Sequence, residues 1–222
     1  MLSLVTDTYA SDSLMIGIIG GTFDPIHFGH LRPALEITEA LQLKQMRFIP
    51  SAKPPHRWQP EASAEDRLAM VKLAIQGTDK FVVDDREYQR DGASYTVDTL
   101  VSLRAEIGAK TPLCMLIGMD AFESFTQWHD WQKILQLTHL VISPRPGYSP
   151  DLSADWIKSR LITSSNSLNQ SAAGKLFVSE VVQFDISATY IREQRLKNNS
   201  LHFLTPKSVC DYIDDHGLYK ND

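Results

Sequence analysis

Short apolar runs alternate with longer amphipathic stretches along most of the chain. Each run has the length of a buried strand, and all but the last are followed by a stretch with helical spacing of apolar residues. The runs are MIGII, MRFIP, FVVDD, LCMLIG and HLVIS, and the stretches begin at LRPAL, SAEDR, YTVDT and FESFT. This alternation is typical of βαβ units with right-handed crossovers. It predicts an α/β protein with a Rossmann-like, doubly wound parallel sheet and helices on both faces.

Residues that begin or end helices support this prediction. Ser63 precedes one helical stretch and has Asp66 three residues later, which is a favourable arrangement for a helix start, and Gly108 follows the end of another helix. Near the C terminus, Thr205-Pro206 and Gly217 bracket one more helix. We expect this last helix to form a small C-terminal cover.

A chain of 222 residues is long enough for one well-cored domain, which we assign to residues 15–222. Residues 1–14 show no periodic pattern and are predicted to be a dispensable N-terminal extension. They lack the features of a secretory signal, and no apolar run is long enough to span a bilayer, so we expect a cytoplasmic protein without a membrane partner. The polar segment between Pro146 and Gly174 is predicted to be a surface insertion.

The formal net charge of −5 argues against nucleic acid as a partner, which generally requires a basic face. An anionic ligand would have to be met by cations gathered locally. The two cysteines, Cys114 and Cys210, lie in apolar runs without metal-binding spacing, so we expect buried, inert thiols and no metal site built by the protein. Nothing in the sequence defines an oligomeric state.

The stretch GGTFDPIHFGH, residues 20–30, concentrates glycines and histidines directly after the first predicted strand. Gly20-Gly21 leave bare backbone that a large ligand can approach closely. A helix is expected to begin near Gly29, so His27 and His30 flank its N terminus, where free N–H groups and the helix dipole favour anions. Two imidazole donors there could complete a polyphosphate site. The alternative is a tight turn with two surface histidines.

Two motifs in this chain resemble signatures of the nucleotidylyltransferase superfamily. GTFDPIHFGH matches Gly-x-Phe-Asp-Pro-x-His-x-Gly-His, and ISATYIR, residues 186–192, matches Ile-Ser-x-Thr-x-Ile-Arg. In that superfamily the first motif holds the phosphates of a nucleoside triphosphate and the second lies across the nucleotide. The resemblance implies that His27, His30 and Arg192 are catalytic. It also implies an ATP site made of Gly20, Gly21, Thr22, Phe23, His27, Gly29, His30, Gly118, Asp120, Arg145, Ile186, Ser187 and Arg192.

The two residues proposed at the phosphates from the second motif also have a simpler interpretation. Ser187 could act only as a helix cap, and Arg192 could be a solvated charge on the surface of that helix.

Further segments resemble the bacterial nicotinate-nucleotide adenylyltransferases over roughly residues 17–219. They are SAKPPHR at 51–57, SYT at 94–96, GMDAF at 118–122 and the tryptophan at 128. The resemblance implies that Thr96 and the backbone near Tyr95 and His129 hold the nicotinate carboxylate, while Trp128 stacks on the pyridine ring. The implied mononucleotide site comprises Ser51, Lys53, His56, Tyr95, Thr96, Trp128 and His129. Trp128 could instead serve only in helix packing, and the roles of Lys53 and Arg57 stay open.

Several candidate residues directly follow the ends of different predicted strands. His27 and His30 follow the first predicted strand, Lys53, His56 and Arg57 the second, Asp120 the fourth and Arg145 the fifth. The carboxyl ends of parallel strands meet at one edge of the sheet, where open α/β sheets bind ligands. These residues are therefore expected to line a single crevice, where the cationic ones would gather.

The activity that the resemblance implies is adenylyl transfer from ATP to nicotinate mononucleotide, giving nicotinate adenine dinucleotide and pyrophosphate in NAD biosynthesis. Mg²⁺ is expected to arrive with ATP. One alternative is the same transfer to nicotinamide mononucleotide or another phosphomonoester, and a second is a noncatalytic nucleotide sensor on the same fold. The His-x-Gly-His element also occurs in class I aminoacyl-tRNA synthetases, but this chain has no room for an anticodon-binding domain.

Overall fold

Parallel strands form one sheet in the computed structural model, which describes residues 14–55, 59–144, 151–182 and 184–220. Seven strands occur in these ranges: β1 (Ile16–Gly21), β2 (Gln45–Pro50), β3 (Phe81–Val83), β4 (Leu113–Gly118), β5 (His139–Ser143), β6 (Leu161–Ile162) and β7 (Leu176–Val178). Their order in the sheet is β3-β2-β1-β4-β5-β7-β6, and every pair is parallel.

Helices connect the strands. They are α1 (Phe28–Ala40), α2 (Ala64–Ile75), α3 (Thr96–Ile107), α4 (Met119–Glu123), α5 (Trp131–Leu137), α6 (Asp155–Lys158), α7 (Ala188–Leu196) and α8 (Lys207–Asp215). Short 3₁₀ turns lie at Arg86–Gln89, Phe125–Gln127 and Ser165–Gln170. The predicted doubly wound α/β fold is confirmed.

The central strand β1 pairs with β2 on one side and β4 on the other, so the strand order reverses beside it. A ligand crevice is expected at such a point, outside the carboxyl ends of the strands. Alternate residues of β1 face the two sides of the sheet: Ile16 and Ile18 belong to one buried cluster and Ile19 to the other. Each cluster is covered by helices, which explains why the strand runs are apolar throughout.

The stretch FESFTQWHDWQKIL, predicted as one helix, is broken. α4 and a 3₁₀ turn end before Trp128, and α5 begins only after Asp130, which has a left-handed φ of 55°. The break allows both Trp128 and Trp131 to pack on the fully buried ring of Phe125, at centroid distances of 5.5 and 6.1 Å. On a continuous helix Phe125 and Trp131, six residues apart, would point in directions about 120° apart around the axis. Packing therefore overrides the helical pattern.

The segment 146–174 is more than a surface insertion, so that prediction was wrong in part. Leu161–Ile162 joins the sheet as the edge strand β6, and Ile157 and Leu168 are buried. A two-residue strand is too short to produce a recognisable sequence pattern. β7, which pairs β6 to β5, was not predicted either.

The C-terminal cover is confirmed. α8 begins directly after Pro206 and packs on α2, where the Tyr212 hydroxyl donates to Asp66 at 2.9 Å and the Ser208 hydroxyl to the Leu73 carbonyl at 3.2 Å. Further along, the Tyr219 hydroxyl donates to the Asp24 carboxylate at 2.8 Å. The end of the chain is thereby joined to the turn after β1.

Two helix ends and both cysteines are as the sequence predicts. The Ser63 hydroxyl accepts from the Asp66 N–H at the start of α2, and Gly108 ends α3 with a φ of 86°. Cys114 and Cys210 are free and buried, and burial raises the pKa of the Cys114 thiol to about 12, as expected for inert thiols. No helix within the described ranges is long and apolar enough to cross a membrane.

The start of the described chain is anchored in the fold. Met15 is fully buried, and its carbonyl accepts from the Lys44 N–H at 2.9 Å. Leu14 is mostly exposed, and residues 1–13 lie outside the described residues. The proposed boundary at residue 15 stays a prediction.

Candidate active site

The described candidate residues follow the carboxyl ends of strands at one edge of the sheet. Gly20, Gly21, Thr22, Phe23, His27, Gly29 and His30 lie at the end of β1 and the start of α1, Ser51 and Lys53 after β2, Tyr95 and Thr96 at the start of α3, Gly118 and Asp120 at the end of β4, Trp128 and His129 before α5, and Ile186, Ser187 and Arg192 at α7. His56, Arg57 and Arg145 lie outside the described residues.

The turn after β1 places the first motif at the start of α1. Phe23 is buried with a left-handed φ of 51°, the Asp24–Pro25 peptide is cis, and His27 is the extended N-cap residue of α1. The helix thus begins one residue before the predicted Gly29. The ring of Phe23 packs edge-on against His30 with a centroid distance of 5.1 Å. This packing fixes the position of His30 in the first turn.

His27 and His30 stack on each other, with ring centroids 3.8 Å apart and ring planes inclined by 29°. The Nδ1 atoms of both rings are buried and have no hydrogen-bond partner within the described part of the chain. Buried nitrogens are normally paired, so two unpaired ones in adjacent rings are unusual.

Burial determines the charge of the two histidines. It lowers the pKa of His27 to about 4, and burial together with the neighbouring His27 lowers the pKa of His30 well below its usual value. Both rings are therefore neutral at pH 7. The two rings can therefore donate N–H groups to a ligand, as expected for imidazole donors, but they add no positive charge at this pH.

The two sequence motifs meet at Gly29. A Cβ at this position would lie 2.9 Å from His27 Cε1 and Nδ1 and 3.0 Å from the Ile186 carbonyl oxygen. Only glycine therefore allows His27 and the segment leading into α7 to approach so closely. The next residue, Ser187, caps α7 by accepting from the Tyr190 N–H at 3.1 Å. The capping role considered from sequence is present.

Arg192 connects the second motif to the turn after β1. Its Nε donates to Glu61 at 2.7 Å and its Nη1 to the Asp24 carbonyl at 2.8 Å. The Asp24 carboxylate in turn accepts from the backbone N–H groups of Glu61 and Ala62 and from the Tyr219 hydroxyl. Arg192 is therefore not a solvated helix charge, because its guanidinium is bound to groups that surround the first motif.

A second group of contacts joins the residues expected at the mononucleotide. The Lys53 N–H donates to the Ser94 hydroxyl at 3.0 Å, and the Ser94 N–H donates to the Lys53 carbonyl at 2.8 Å. The rings of Tyr95 and His129 lie 4.6 Å apart. The loop after β2, the start of α3 and the turn before α5 thus converge.

Trp128 is half-buried, and it packs on Phe125. The packing interpretation is therefore correct for part of the ring.

Gly118 and Asp120 lie at the same edge, and both are exposed. A Cβ at Gly118 would meet no atom within 4 Å, so packing does not explain this glycine. Among the residues that the structure describes, no group of three or more His, Cys, Asp or Glu side chains could hold a metal ion.

Arg67 was missed by the sequence reasoning. Its side chain is 1% exposed, and it donates to the carbonyls of Thr22, Ser51 and Ala52, which belong to the turns after β1 and β2. A signal did exist. Arg67 shares the buried face of α2 with Met70 and Val71, and an arginine on an apolar helix face needs a specific set of partners.

Glu87 was also missed. It is buried, accepts from the Thr99 hydroxyl at 2.5 Å, and has its second carboxylate oxygen without a partner within the described ranges. Thr99 lies one turn into α3, so this contact fixes the start of the helix that carries Tyr95 and Thr96.

The fold and this edge of the sheet define a nucleotide-binding α/β protein of the nucleotidyltransferase class. The model of the cytidylyltransferase-like family matches residues 18–194, a range that includes both motifs. Curated relatives specify the branch. The "probable nicotinate-nucleotide adenylyltransferase" of Aeromonas salmonicida is 45% identical over 210 residues, covering 93% of this chain and 98% of the relative. The relative from Pseudomonas fluorescens, which has the same name, is 45% identical over 208 residues, covering 92% of this chain and 97% of the relative. The chain belongs to the nicotinate-nucleotide adenylyltransferases within the cytidylyltransferase-like family.

Solved structures agree with this fold. The nicotinic acid mononucleotide adenylyltransferase of Plasmodium falciparum, complexed with NaAD, superposes with a TM-score of 0.71 over 92% of this chain and 97% of that protein, at 18% identity. At this identity the likeness supports the fold.

Proposed function

We propose that this protein transfers the adenylyl group of ATP to the 5′-phosphate of nicotinate mononucleotide, yielding nicotinate adenine dinucleotide and pyrophosphate in NAD biosynthesis. The observation that carries the proposal is the stacked pair His27–His30 at the start of α1, which meets the second motif at Gly29. Family membership supports the identity of the two substrates.

We assign the triphosphate to the crevice beside β1. The bare backbone of Gly20 and Gly21, the N terminus of α1 and the two imidazoles would receive the phosphates. Arg192 would exchange its contact with Glu61 for a phosphate oxygen, since both acceptors are anionic. The remaining ATP contacts in this assignment are Thr22, Phe23, Gly29, Gly118, Asp120, Arg145, Ile186 and Ser187.

We assign the mononucleotide to the adjoining group of loops. Thr96 and the backbone at Tyr95 and His129 would donate to the nicotinate carboxylate, and the accessible part of Trp128 would stack on the pyridine ring. Ser51, Lys53 and His56 complete this assignment on the loop after β2. Lys53 is exposed and its backbone is held by Ser94, so its ammonium group can reach an anion.

The chemistry requires alignment rather than proton abstraction. The mononucleotide phosphate is already an anion at neutral pH, and one of its oxygens forms a bond to the α-phosphorus of ATP. The bond from the α-phosphorus to the bridging oxygen breaks, and pyrophosphate leaves with that electron pair. Neutral His27 and His30 would donate hydrogen bonds to the phosphate oxygens, and Arg192 would supply positive charge.

Mg²⁺ is part of this proposal as a partner of the triphosphate. The described residues offer N–H donors at the crevice and no cluster of carboxylates, which fits an ion bound by substrate phosphates and water. When bound, it would neutralise phosphate charge.

Pyrophosphate release with ATP and a panel of mononucleotides tests the function. We expect turnover with nicotinate mononucleotide and much less with nicotinamide mononucleotide. Equal efficiencies would make the amide substrate an equal candidate, and no release with any phosphomonoester, despite ATP binding, would favour a nucleotide sensor.

A further inference from the structure

A fully buried arginine lies directly behind the proposed substrate crevice. Arg67 projects from α2 and binds three backbone carbonyls: Nη1 donates to Thr22 at 2.8 Å and to Ser51 at 2.6 Å, and Nη2 donates to Ala52 at 3.2 Å. Thr22 belongs to the turn after β1, and Ser51 and Ala52 belong to the turn after β2. One guanidinium group thus holds together the two turns that we assign to the two different substrates.

This connection continues into the rest of the proposed mononucleotide site. The loop that contains Ser51 and Ala52 is bound at Lys53 to Ser94 through two hydrogen bonds, and Ser94 directly precedes the start of α3. A displacement of the Arg67 guanidinium would therefore be transmitted to the segments around both substrates.

The charge of Arg67 has no anionic partner within the described ranges. The side chain is 1% exposed, and the hydrogen-bond acceptors of its guanidinium are neutral carbonyls. Its Nε has no hydrogen-bond partner, and Arg67 forms no ion pair with a described carboxylate. An arginine stays protonated even when buried, and an uncompensated buried charge is unfavourable. Such a charge behind a crevice for two anions is stabilised when those anions bind.

We propose that Arg67 is a positioning residue that sets the relative placement of the two substrates and contributes positive charge to both sites without touching either. The inference rests on the proposed function, because it assigns the turns after β1 and β2 to ATP and the mononucleotide. Nη1 bridges the two turns by donating to Thr22 and Ser51, and Nη2 adds the contact to Ala52. Lysine has a single nitrogen and cannot keep all three contacts in this planar arrangement.

The chain offers a matched control in Arg104. This arginine also binds backbone carbonyls, those of Leu137, Gly108, Thr111 and Ala172, at distances of 2.6 to 3.2 Å. These acceptors precede strands, so Arg104 lies at the opposite edge of the sheet. Substitutions at Arg104 should reduce stability without affecting the substrates.

The experiment compares Arg67→Lys and Arg67→Met with Arg104→Lys and Arg104→Met. Circular dichroism and Tm report folding, and steady-state kinetics report kcat and the KM of each substrate. Arg67→Lys keeps the charge and loses the fork, so we expect kcat to fall by about tenfold or more with smaller changes in KM. Arg67→Met also loses the charge, so both KM values should rise as well. The Arg104 variants should keep kcat and KM within about twofold.

The inference would be overturned if Arg67→Lys had the same kinetic constants as Arg104→Lys. It would also be overturned if both Arg67 variants failed to fold, because Arg67 would then serve only folding. A wild-type protein without adenylyl transfer would refute the proposed function separately. In that case, calorimetric affinities for ATP and nicotinate mononucleotide decide the inference: weaker binding of both to Arg67→Met than to Arg104→Met supports it, and equal binding overturns it.

Discussion

His27 and His30 show how burial changes the chemistry of a residue type. A free imidazole titrates near neutral pH, but here the two rings stack on each other and His30 also packs against Phe23. Burial lowers their pKa values, so they remain neutral donors under physiological conditions. The pH profile of kcat/KM, which reports ionisable groups of the free enzyme, should therefore show no titration of either ring between about pH 6 and 8.

Replacement of either histidine by alanine should reduce kcat by about a hundredfold or more, because each ring would lose a donor to the phosphates. Far-ultraviolet circular dichroism should stay unchanged. His202→Ala, at an exposed histidine outside both motifs, is the control and should keep wild-type activity. Near-normal turnover of both His27→Ala and His30→Ala would remove them from the proposed machinery.

The lowered pKa of His27 also predicts how stability depends on pH. Between about pH 6.5 and 4 the unfolded chain binds a proton at this ring that the folded chain does not, so a fall in pH favours unfolding. From pH 7 to pH 5 this effect is about 2 kcal/mol. Urea unfolding at both pH values measures the decrease in the free energy of unfolding. This decrease should be smaller for His27→Gln than for the wild type or for His216→Gln, the control at an exposed histidine. The same pH dependence in all three proteins would contradict the buried, neutral ring.

Thr96 is the residue at which preference for an acid over an amide can be tested. The carboxylate of nicotinate accepts from a hydroxyl and from backbone N–H groups, whereas a carboxamide would direct its own N–H₂ group at those donors. A hydrogen bond to a charged acceptor contributes roughly 1.5–3 kcal/mol. Thr96→Val should therefore reduce the ratio of kcat/KM for the acid and amide mononucleotides by about tenfold or more.

Thr96→Ser keeps the hydroxyl and should retain most of the ratio. An unchanged ratio in Thr96→Val would exclude this side chain from the carboxylate site.

Trp128→Ala should weaken binding of both mononucleotides to a similar degree, because stacking does not distinguish acid from amide. Trp131→Ala is the matched control, since Trp131 packs on the same Phe125 ring. Loss of stability in both variants, with raised KM for the mononucleotides only in Trp128→Ala, would separate a stacking role from a packing role. Equal kinetic effects would leave Trp128 as a packing residue.

At the scale of elements, the start of α3 depends on a buried carboxylate. The Thr99 hydroxyl donates to one carboxylate oxygen of Glu87, and the other oxygen has no partner in the described part of the chain. Thr99→Val would leave a buried charged group without this bond, which should lower the free energy of unfolding by about 2 kcal/mol.

Thr38→Val is the control for Thr99→Val. Thr38 is equally buried in a helix, but its hydroxyl donates only to the Ala34 carbonyl one turn earlier. Its replacement should have a much smaller effect on urea unfolding. A similar loss in both variants would show that Glu87 does not depend on Thr99.

At the scale of the whole molecule, the sheet joins the described site segments that follow β1, β2 and β4, and the C-terminal cover closes onto the first turn through Tyr219 and Asp24. These contacts lie within residues 15–220. A chain shortened to begin at Met15 should therefore melt cooperatively and keep the kcat and KM of the full chain. Loss of cooperative melting or of activity in the shortened chain would show that residues 1–14 are part of the domain.

The sequence by itself determined the order of the first five strands, the parallel sheet and the family, because apolar periodicity and two motifs with fixed spacing are local properties. It also predicted a ligand crevice at one edge of the sheet, since the carboxyl ends of parallel strands meet there. The tertiary structure decided what depends on neighbours from distant parts of the chain. Packing of two tryptophans on Phe125 broke the predicted helix before α5, and pairing with β7 turned Leu161–Ile162 into a strand. Burial decided that His27 and His30 are neutral, and only the fold brought Arg67 behind the turns after β1 and β2, because burial and long-range hydrogen bonds have no local sequence pattern.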